Sequence, residues 1–378
     1  MTGTAPRVLV MVKGLGLGGV ERLLSESIPH LNRERFDYEF CYFTPWKDDV
    51  VPEFRRAGIP IHCLGIANDA TPRNIRKVRS FLVAGSYDIV HTHSPFPSAL
   101  TRLLAPRDGL AGIVHTEHSL PGSRNWVTRV ANRLTYPLCD VVISVSRVVE
   151  SEVGRGWPFE PRDSRVIYGG IEGGALSGVT PAMVADTRRS LEIPEGDLVV
   201  GNVAHLRRQK GHDLWLETAR LVLDEKPNTT FVIVGREKEP GYQRALQEHA
   251  AALGMEDRVR FTGFQLDPYP YLATFDVFLM ASEFEGFPIA LVEAMGMGVA
   301  VVSTDVGGVS EAIGSEPTGL MAPKGDATAL AAQVVSLLDD ANRREALAGR
   351  ARARARSEFT VERMVELVEQ VYDELLSS

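Results

Sequence analysis

The chain has 378 residues, more than one hydrophobic core usually serves, so two or three domains are expected. Its 44% hydrophobic and 24% charged residues place it among soluble globular proteins rather than disordered ones. A formal charge of −8 argues against non-specific nucleic-acid binding, which draws on an excess of Lys and Arg.

The first apolar run, Val8–Val12, is one strand long, and no stretch approaches the roughly 18 apolar residues of a membrane span. The three cysteines, Cys41, Cys63 and Cys139, show neither metal-ligand spacing nor a disulfide framework. A cytoplasmic protein with thiols in a reducing compartment is expected, and peripheral contact with the inner face of a membrane is compatible with that.

Short Val/Ile-rich runs predict strands at Arg7–Lys13, Tyr38–Phe43, Ile59–Leu64, Asp88–Val90, Ile113–Thr116 and Val141–Val145, separated by segments of helical period. That alternation is the βαβ pattern of a parallel sheet covered on both faces. It weakens between Gly169 and Gly196, where Gly-Gly and Thr-Pro dipeptides punctuate the chain and a domain boundary belongs. A second series follows at Leu198–Val203, Thr230–Val234, Val259–Thr262, Val277–Met280 and Val299–Ser303. From Ala327 onward the tail reads as helices, with the Arg350–Arg356 run as a solvated face. The class is therefore α/β, with two doubly wound domains whose ligands belong at the carboxyl ends of the strands.

In the second series, Glu285 sits in the turn after an apolar strand, and Pro288 suits the first turn of the helix that follows. Such a turn, with Phe287 and Pro288 inside it, can expose free backbone N–H groups between Gly286 and Ile289, none of them from Pro288 itself, a helix start that favours a pyrophosphate. Glu293 lies eight residues beyond Glu285, so the two carboxylates would not share a face if both were helical. This suits a sugar nucleotide stretched across the helix start, one carboxylate taking sugar hydroxyls and the other the ribose diol. A surface Glu and a helix Glu with no joint role is the competing reading. After the first strand of this half, Arg207, Arg208 and Lys210 form a cationic cluster able to neutralise a diphosphate, or else a solvated loop.

The run from Met280 to Ala300 resembles the Glu, seven residues, Glu motif of family 4 retaining glycosyltransferases, and the similarity extends through Thr304–Ala312 and back through Leu253–Phe264. The resemblance covers nearly the whole chain. It implies a GT-B fold of two Rossmann-like domains, 1–175 on the acceptor side and 176–356 on the donor side, with residues 357–378 returning to the first domain and closure over the donor. It implies a metal-independent, retaining hexosyltransferase without cofactor, using a nucleoside diphosphate sugar and a hydroxyl acceptor in glycan, glycolipid or exopolysaccharide synthesis. Lys210, Arg207, Glu285 and His118 would be catalytic. Gly18, Gly19, His205, Arg208, Phe264, Gly286, Phe287, Pro288, Ile289 and Glu293 would bind the donor, with Glu21 and His93 toward the acceptor. His205 stands where relatives usually carry Arg.

Competing readings concern the first half. Gly14, Gly16 and Gly19 satisfy a GxGxxG spacing, but the end of the second strand is Thr44 rather than the acid a dinucleotide-binding fold places there. Gly18-Gly-Val-Glu21 resembles instead the Gly-Gly-x-Glu turn of GT-B enzymes. His91-Thr-His93 and His115-Thr-Glu-His118 end two strands; two His at that spacing share a face, so a metal site is conceivable there, while the resemblance puts His118 at the cleft and makes His91 a packing residue. No Asp-x-Asp, Gly-x-Ser-x-Gly or Walker-type segment occurs. A non-catalytic sugar-nucleotide-binding module and a sugar-nucleotide epimerase are the alternatives.

Overall fold

The structure is a computed structural model that describes residues 5–67, 70–120, 126–154 and 161–378. The chain forms two compact units, Met1–Gly170 with Val361–Ser378, and Ile171–Thr360.

In the first unit the described strands are β1 (Arg7–Val12), β2 (Asp37–Tyr42), β3 (Ile61–Cys63), β4 (Ile89–Thr92), β5 (Gly112–Glu117), β6 (Val141–Ser144) and β7 (Ser164–Val166). They lie in the order β3-β2-β1-β4-β5-β6-β7 with every neighbouring pair parallel. A sheet buried on both faces needs apolar residues at successive positions, which is why Val8–Val12 reads as a continuous run. The pleat sorts them: Val8, Val10 and Val12 join Phe40, Val114 and Ile143 in one core. Met11 points to the other face, where the Thr101 hydroxyl of helix Pro95–Leu104 donates to its sulfur at 3.4 Å. Strand β7 has the sequence Ser-Arg-Val, too short and polar for the apolar-run criterion to find.

Helix Val361–Leu376 supplies Val371 and Tyr372 to this same core. The sequence boundary at 175/176 is corrected to 170/171, and residues 357–360 remain with the second unit. The cause is a backbone clasp: the Ile171 N–H donates to the Phe359 carbonyl at 2.9 Å, and Ile171 bridges Thr360.

The second unit holds β8 (Leu198–Val203), β9 (Thr229–Val234), β10 (Val259–Gly263), β11 (Val277–Met280), β12 (Ala300–Thr304) and β13 (Leu320–Ala322). Their order is β10-β9-β8-β11-β12-β13, again with parallel neighbours. Strand β13 is a three-residue edge strand that the sequence pattern passes over. Trp215 anchors the core, stacked edge-on against Phe231 at 6.0 Å with its indole N–H on the Leu279 carbonyl.

The Arg350–Arg356 run lies in helix Ala341–Glu358, with Ala351 and Ala355 turned into the core. It is more than a solvated face. Arg354 Nε donates to the Ala312 carbonyl at 3.0 Å and Arg356 Nε to the Gly296 carbonyl at 3.2 Å, binding the carbonyl ends of two other helices.

Candidate active site

Each sheet reverses its direction of winding once, between β1 and β4 in the first unit and between β8 and β11 in the second. Loops leaving the carboxyl ends of such a strand pair diverge to opposite faces and leave a crevice, the usual ligand position in an open α/β sheet. Arg207, Arg208, Lys210 and Glu285 follow β8 and β11 on those loops, whereas Glu293 lies on a helix.

In the second unit, Glu285 is buried in the loop after β11, and its Oε1 accepts from Lys210 Nζ at 2.7 Å and from Ser282 Oγ at 2.6 Å. Lys210 comes from the loop after β8. Bonds to main-chain carbonyls hold the two loops in register: the Gln209 side-chain Nε2 donates to the Phe284 carbonyl at 2.9 Å, and the Glu283 N–H to the Gln209 carbonyl at 2.8 Å. From the other side, Thr304 Oγ1 at the end of β12 donates to the Ser282 carbonyl at 2.8 Å. Two glycines make this fit. A Cβ on Gly211 (φ 64°) would stand 1.9 Å from the Ala281 oxygen, and one on Gly307 (φ 54°) 1.8 Å from the Glu285 oxygen.

His205 stands where the resemblance leads to an expected Arg. Burial and then the charges of Lys238, Arg207, Arg236 and Lys210 push its imidazole down to about 4, so at neutral pH it is an uncharged group among four cations. Arg207 Nε is buried and has no hydrogen-bond partner among the described residues. An unpaired buried guanidinium nitrogen is costly unless an anion completes it. Arg208 is drawn elsewhere, toward Glu239 at 3.7 Å and over the Tyr242 ring at 5.4 Å.

Glu293 lies on helix Ile289–Met297, is buried, and accepts from Tyr269 Oη at 3.3 Å. Pro288 occupies the cap of this helix rather than its first turn. The expected row of open N–H groups is accordingly shorter, because the Ile289 N–H already donates to the Phe287 carbonyl at 3.1 Å. Phe287 turns its ring away to pack edge-on against Phe359 at 5.3 Å, so only its backbone can face a ligand. Phe264, past the end of β10, is exposed, with the Arg236 guanidinium 5.5 Å from its ring centre.

In the first unit the loop after β1 turns at Gly18, the cap of helix Gly19–Glu26. Glu21 folds back so closely that a Cβ on Gly18 would meet its Oε2 at 2.2 Å, whereas the space beside Gly19 is open to 4 Å. Beyond β4 and β5, His93 Nδ1 and His118 Nε2 are 3.0 Å apart with rings stacked at 5.3 Å. His91 bridges Tyr372 Oη at 2.6 Å and Thr116 Oγ1 at 2.7 Å. Burial holds both His91 and His93 well below the usual imidazole range, so they act as neutral donors and acceptors. These three histidines line one cavity with Leu23, Met364 and Val368. Its apolar wall and hydroxyl partners describe a polar-tipped pocket. No cluster of three metal-ligating side chains exists among the described residues.

Residues 17–172 match the Glycosyltransferase Family 4 family, and residues 184–354 match the glycosyl transferases group 1 family. The chain is a family 4 glycosyltransferase. It is 28% identical over 268 residues to the lipopolysaccharide core biosynthesis mannosyltransferase LpsB of Rhizobium meliloti, covering 70% of this chain and 72% of that one. Over 397 aligned residues it is 28% identical to the D-inositol 3-phosphate glycosyltransferase of Salinispora tropica, covering 98% and 75%. Anabaena HepE, crystallised with UDP and glucose, superposes with a TM-score of 0.84 at 21% identity, over 98% of this chain and all 100% of that one. The fold is GT-B.

For this glycosyltransferase the structure brings together Lys210, Glu285 and the loop glycines, and separately His93 with His118. Arg208 and the Phe287 ring stand apart from the Lys210–Glu285 contact. Sequence reasoning missed Ser282, Tyr269, Arg236 and Lys238. The last two follow β9 directly and satisfy the same criterion, cations at a strand's carboxyl end, that singled out Arg207. Tyr269 sits 24 residues from Glu293, with no spacing signal to connect them.

Proposed function

We propose that this protein is a retaining, metal-independent hexosyltransferase that takes its sugar from a nucleoside diphosphate donor and passes it to a hydroxyl acceptor in the assembly of a surface polysaccharide or glycolipid. The observation that carries this reading is the Lys210–Glu285–Ser282 cluster at the β8/β11 reversal, in the same loop as the Arg207 Nε that has no hydrogen-bond partner among the described residues. The names of LpsB and of HepE crystallised with UDP and glucose support the same class of donor and product.

Lys210 and Arg207 bind the diphosphate and stabilise it as it leaves, so the charge that a metal would otherwise supply comes from side chains. Glu285 Oε1 is already committed to Lys210 and Ser282; Oε2, which has no partner among the described residues, accepts a hydroxyl of the transferred sugar. Glu293, oriented by Tyr269, accepts the ribose diol. The acceptor hydroxyl attacks the anomeric carbon on the face the diphosphate leaves, and the departing phosphate oxygen takes its proton. Configuration is retained without an enzymic nucleophile.

The test is product formation from UDP-, GDP- and ADP-hexoses with a panel of glycan and lipid-linked acceptors. Lys210→Ala and Glu293→Ala are each expected to lower turnover on the order of a hundredfold or more while thermal unfolding shows the fold intact. Unchanged turnover in both variants would remove this site assignment, and saturable donor binding with no turnover across the panel would favour a binding module.

A further inference from the structure

The loops that follow β8 and β9 run on side by side beyond the sheet. The Ala204 N–H donates to the Val234 carbonyl at 2.9 Å, the Leu206 N–H to the Arg236 carbonyl at 2.9 Å and the Lys238 N–H to the Leu206 carbonyl at 3.0 Å, so Leu206 and Glu237 form a parallel bridge. Gly235 permits the approach, since a Cβ there would stand 1.8 Å from the Ala204 oxygen. Alternation along extended backbone then sorts the side chains. Leu206 turns into the core, and Glu237 shares its side and accepts from the Gln243 N–H at 2.9 Å. His205, Arg207, Arg236 and Lys238 fall on the opposite side, so four basic residues from two loops share one face.

The nearby carboxylates are engaged elsewhere. Glu239 accepts from the Arg208 N–H at 3.0 Å, Glu285 from Lys210 at 2.7 Å, and Glu283 pairs with Lys324 at 2.8 Å. The loop after β10 contributes the Phe264 ring against Arg236, and helix His212–Glu225 begins with His212, whose imidazole is pushed down to about 4 by burial and then by Lys210. His205 therefore stands among like charges, and burial together with Lys238, Arg207, Arg236 and Lys210 keeps it neutral in the free protein. A diphosphate reverses the electrostatic cause. Its oxygens offset the surrounding cations and give the imidazole N–H groups acceptors, and each effect favours the charged ring.

With Lys210 and Arg207 read as diphosphate ligands, as proposed above, we infer that donor binding on this face is proton-linked: His205 takes up a proton as the nucleoside diphosphate sugar arrives and holds its phosphates as an imidazolium. A fixed cation at this position would repel its neighbours in the free protein, whereas histidine carries the charge only together with the ligand. Linkage is reciprocal, so the factor by which the donor strengthens proton binding is the factor by which the proton strengthens donor binding. Donor affinity consequently rises as pH falls from 8 toward 6, the range in which the free protein lacks this proton and the complex holds it.

The experiment is titration calorimetry of the full chain with UDP-glucose, GDP-mannose and ADP-glucose at pH 6, 7 and 8, each in two buffers of different ionisation enthalpy. The diphosphate of a sugar nucleotide is a diester with no proton to exchange in this range, so uptake read from the buffer dependence belongs to the protein. The donor that binds should take up protons at pH 7 and bind about tenfold tighter at pH 6 than at pH 8. His205→Arg should bind it without uptake and with nearly the same affinity at all three pH values. His205→Gln should also lose the uptake and should be weakened most at pH 6, whereas His212→Gln should keep it; thermal unfolding checks that each variant is folded. Uptake that survives in His205→Gln, or parent affinity that is flat from pH 6 to pH 8, overturns the proton link and leaves the donor site standing. Failure of all three donors to bind removes the donor reading and the proton link with it.

Discussion

The two strand reversals of this molecule are built by different means. Around β8 and β11 the loops are clamped at main-chain atoms: the Glu283 N–H on the Gln209 carbonyl, the Thr304 hydroxyl on the Ser282 carbonyl, and two glycines at which any side chain would strike a carbonyl. Around β4 and β5 the pocket is made of side chains instead, with His91 on Tyr372 and Thr116, and His93 on His118. A main-chain clamp holds a charged pair to a fraction of an ångström and cannot drift without breaking the fold. A side-chain pocket can be re-lined one substitution at a time. The difference fits the proposed division between a fixed donor site and a variable acceptor pocket, since function resides in sites carried on a shared fold.

The sharpest way to break this contrast is at Gly307. A Cβ there meets backbone rather than a movable side chain, and its φ of 54° already disfavours other residues. Gly307→Ala should cost about 2–4 kcal/mol, read from urea unfolding, and should lower turnover together with stability. An alanine in place of His93 should change acceptor use far more than stability; if Gly307→Ala were silent, the clamp would not be what positions Glu285.

Acid sharpens the contrast from the second side. His205 and His212 titrate near 4 in the folded chain, the first through burial and its cationic neighbours, the second through burial and Lys210. The unfolded chain takes up those protons near the ordinary value of about 6.5. The folded state therefore binds fewer protons between the two values, and the stability these residues confer is complete above about 6.5 and is lost as pH falls toward 4. For the enclosed His212 the loss is at most about 3 kcal/mol; for the more solvated His205 it is smaller. Urea midpoints at pH 7 and pH 5 should converge in His212→Gln relative to the parent.

The smallest effect is expected at Tyr269. Tyr269→Phe removes one hydrogen bond to Glu293 and leaves the ring in place, which should cost about 1 kcal/mol. If Glu293 grips the ribose, the change will appear as a several-fold rise in donor KM with kcat nearly preserved.

Fold class was legible because strands buried on both faces must be runs of Val and Ile; Leu198–Val203 and Val277–Met280 are located to the residue. The edge strands Ser164–Val166 and Leu320–Ala322 were not, since three residues at a sheet's margin need no such run. At the site, Glu285 and Lys210 announced themselves as charges on strand ends. Phe287 was named through the resemblance alone, and the packing of its ring against Phe359 had no signal in the sequence. The approach of Arg208 to Glu239 was not legible either, because adjacency in sequence to Lys210 says nothing about a carboxylate that comes from another loop. Tyr269 and Tyr372 were invisible, as partners brought in by tertiary structure alone.

Tyr372 carries one more consequence. The first unit is discontinuous, its opening 170 residues completed by Val361–Ser378. During synthesis its sheet leaves the ribosome long before the helix that covers it, while 190 residues of the second unit, Ile171–Thr360, are being made. At about 5–20 residues per second that interval is roughly 10–40 s. Through it, Phe36, Val114 and the ring of His91 wait beneath an absent lid, so the nascent chain is most prone to aggregate, and most in need of a chaperone, in its first half. The eighteen residues Val361–Ser378 act as a seal on work begun at the start, and a ribosome that stops short of them releases a protein whose second unit is whole and whose first cannot close.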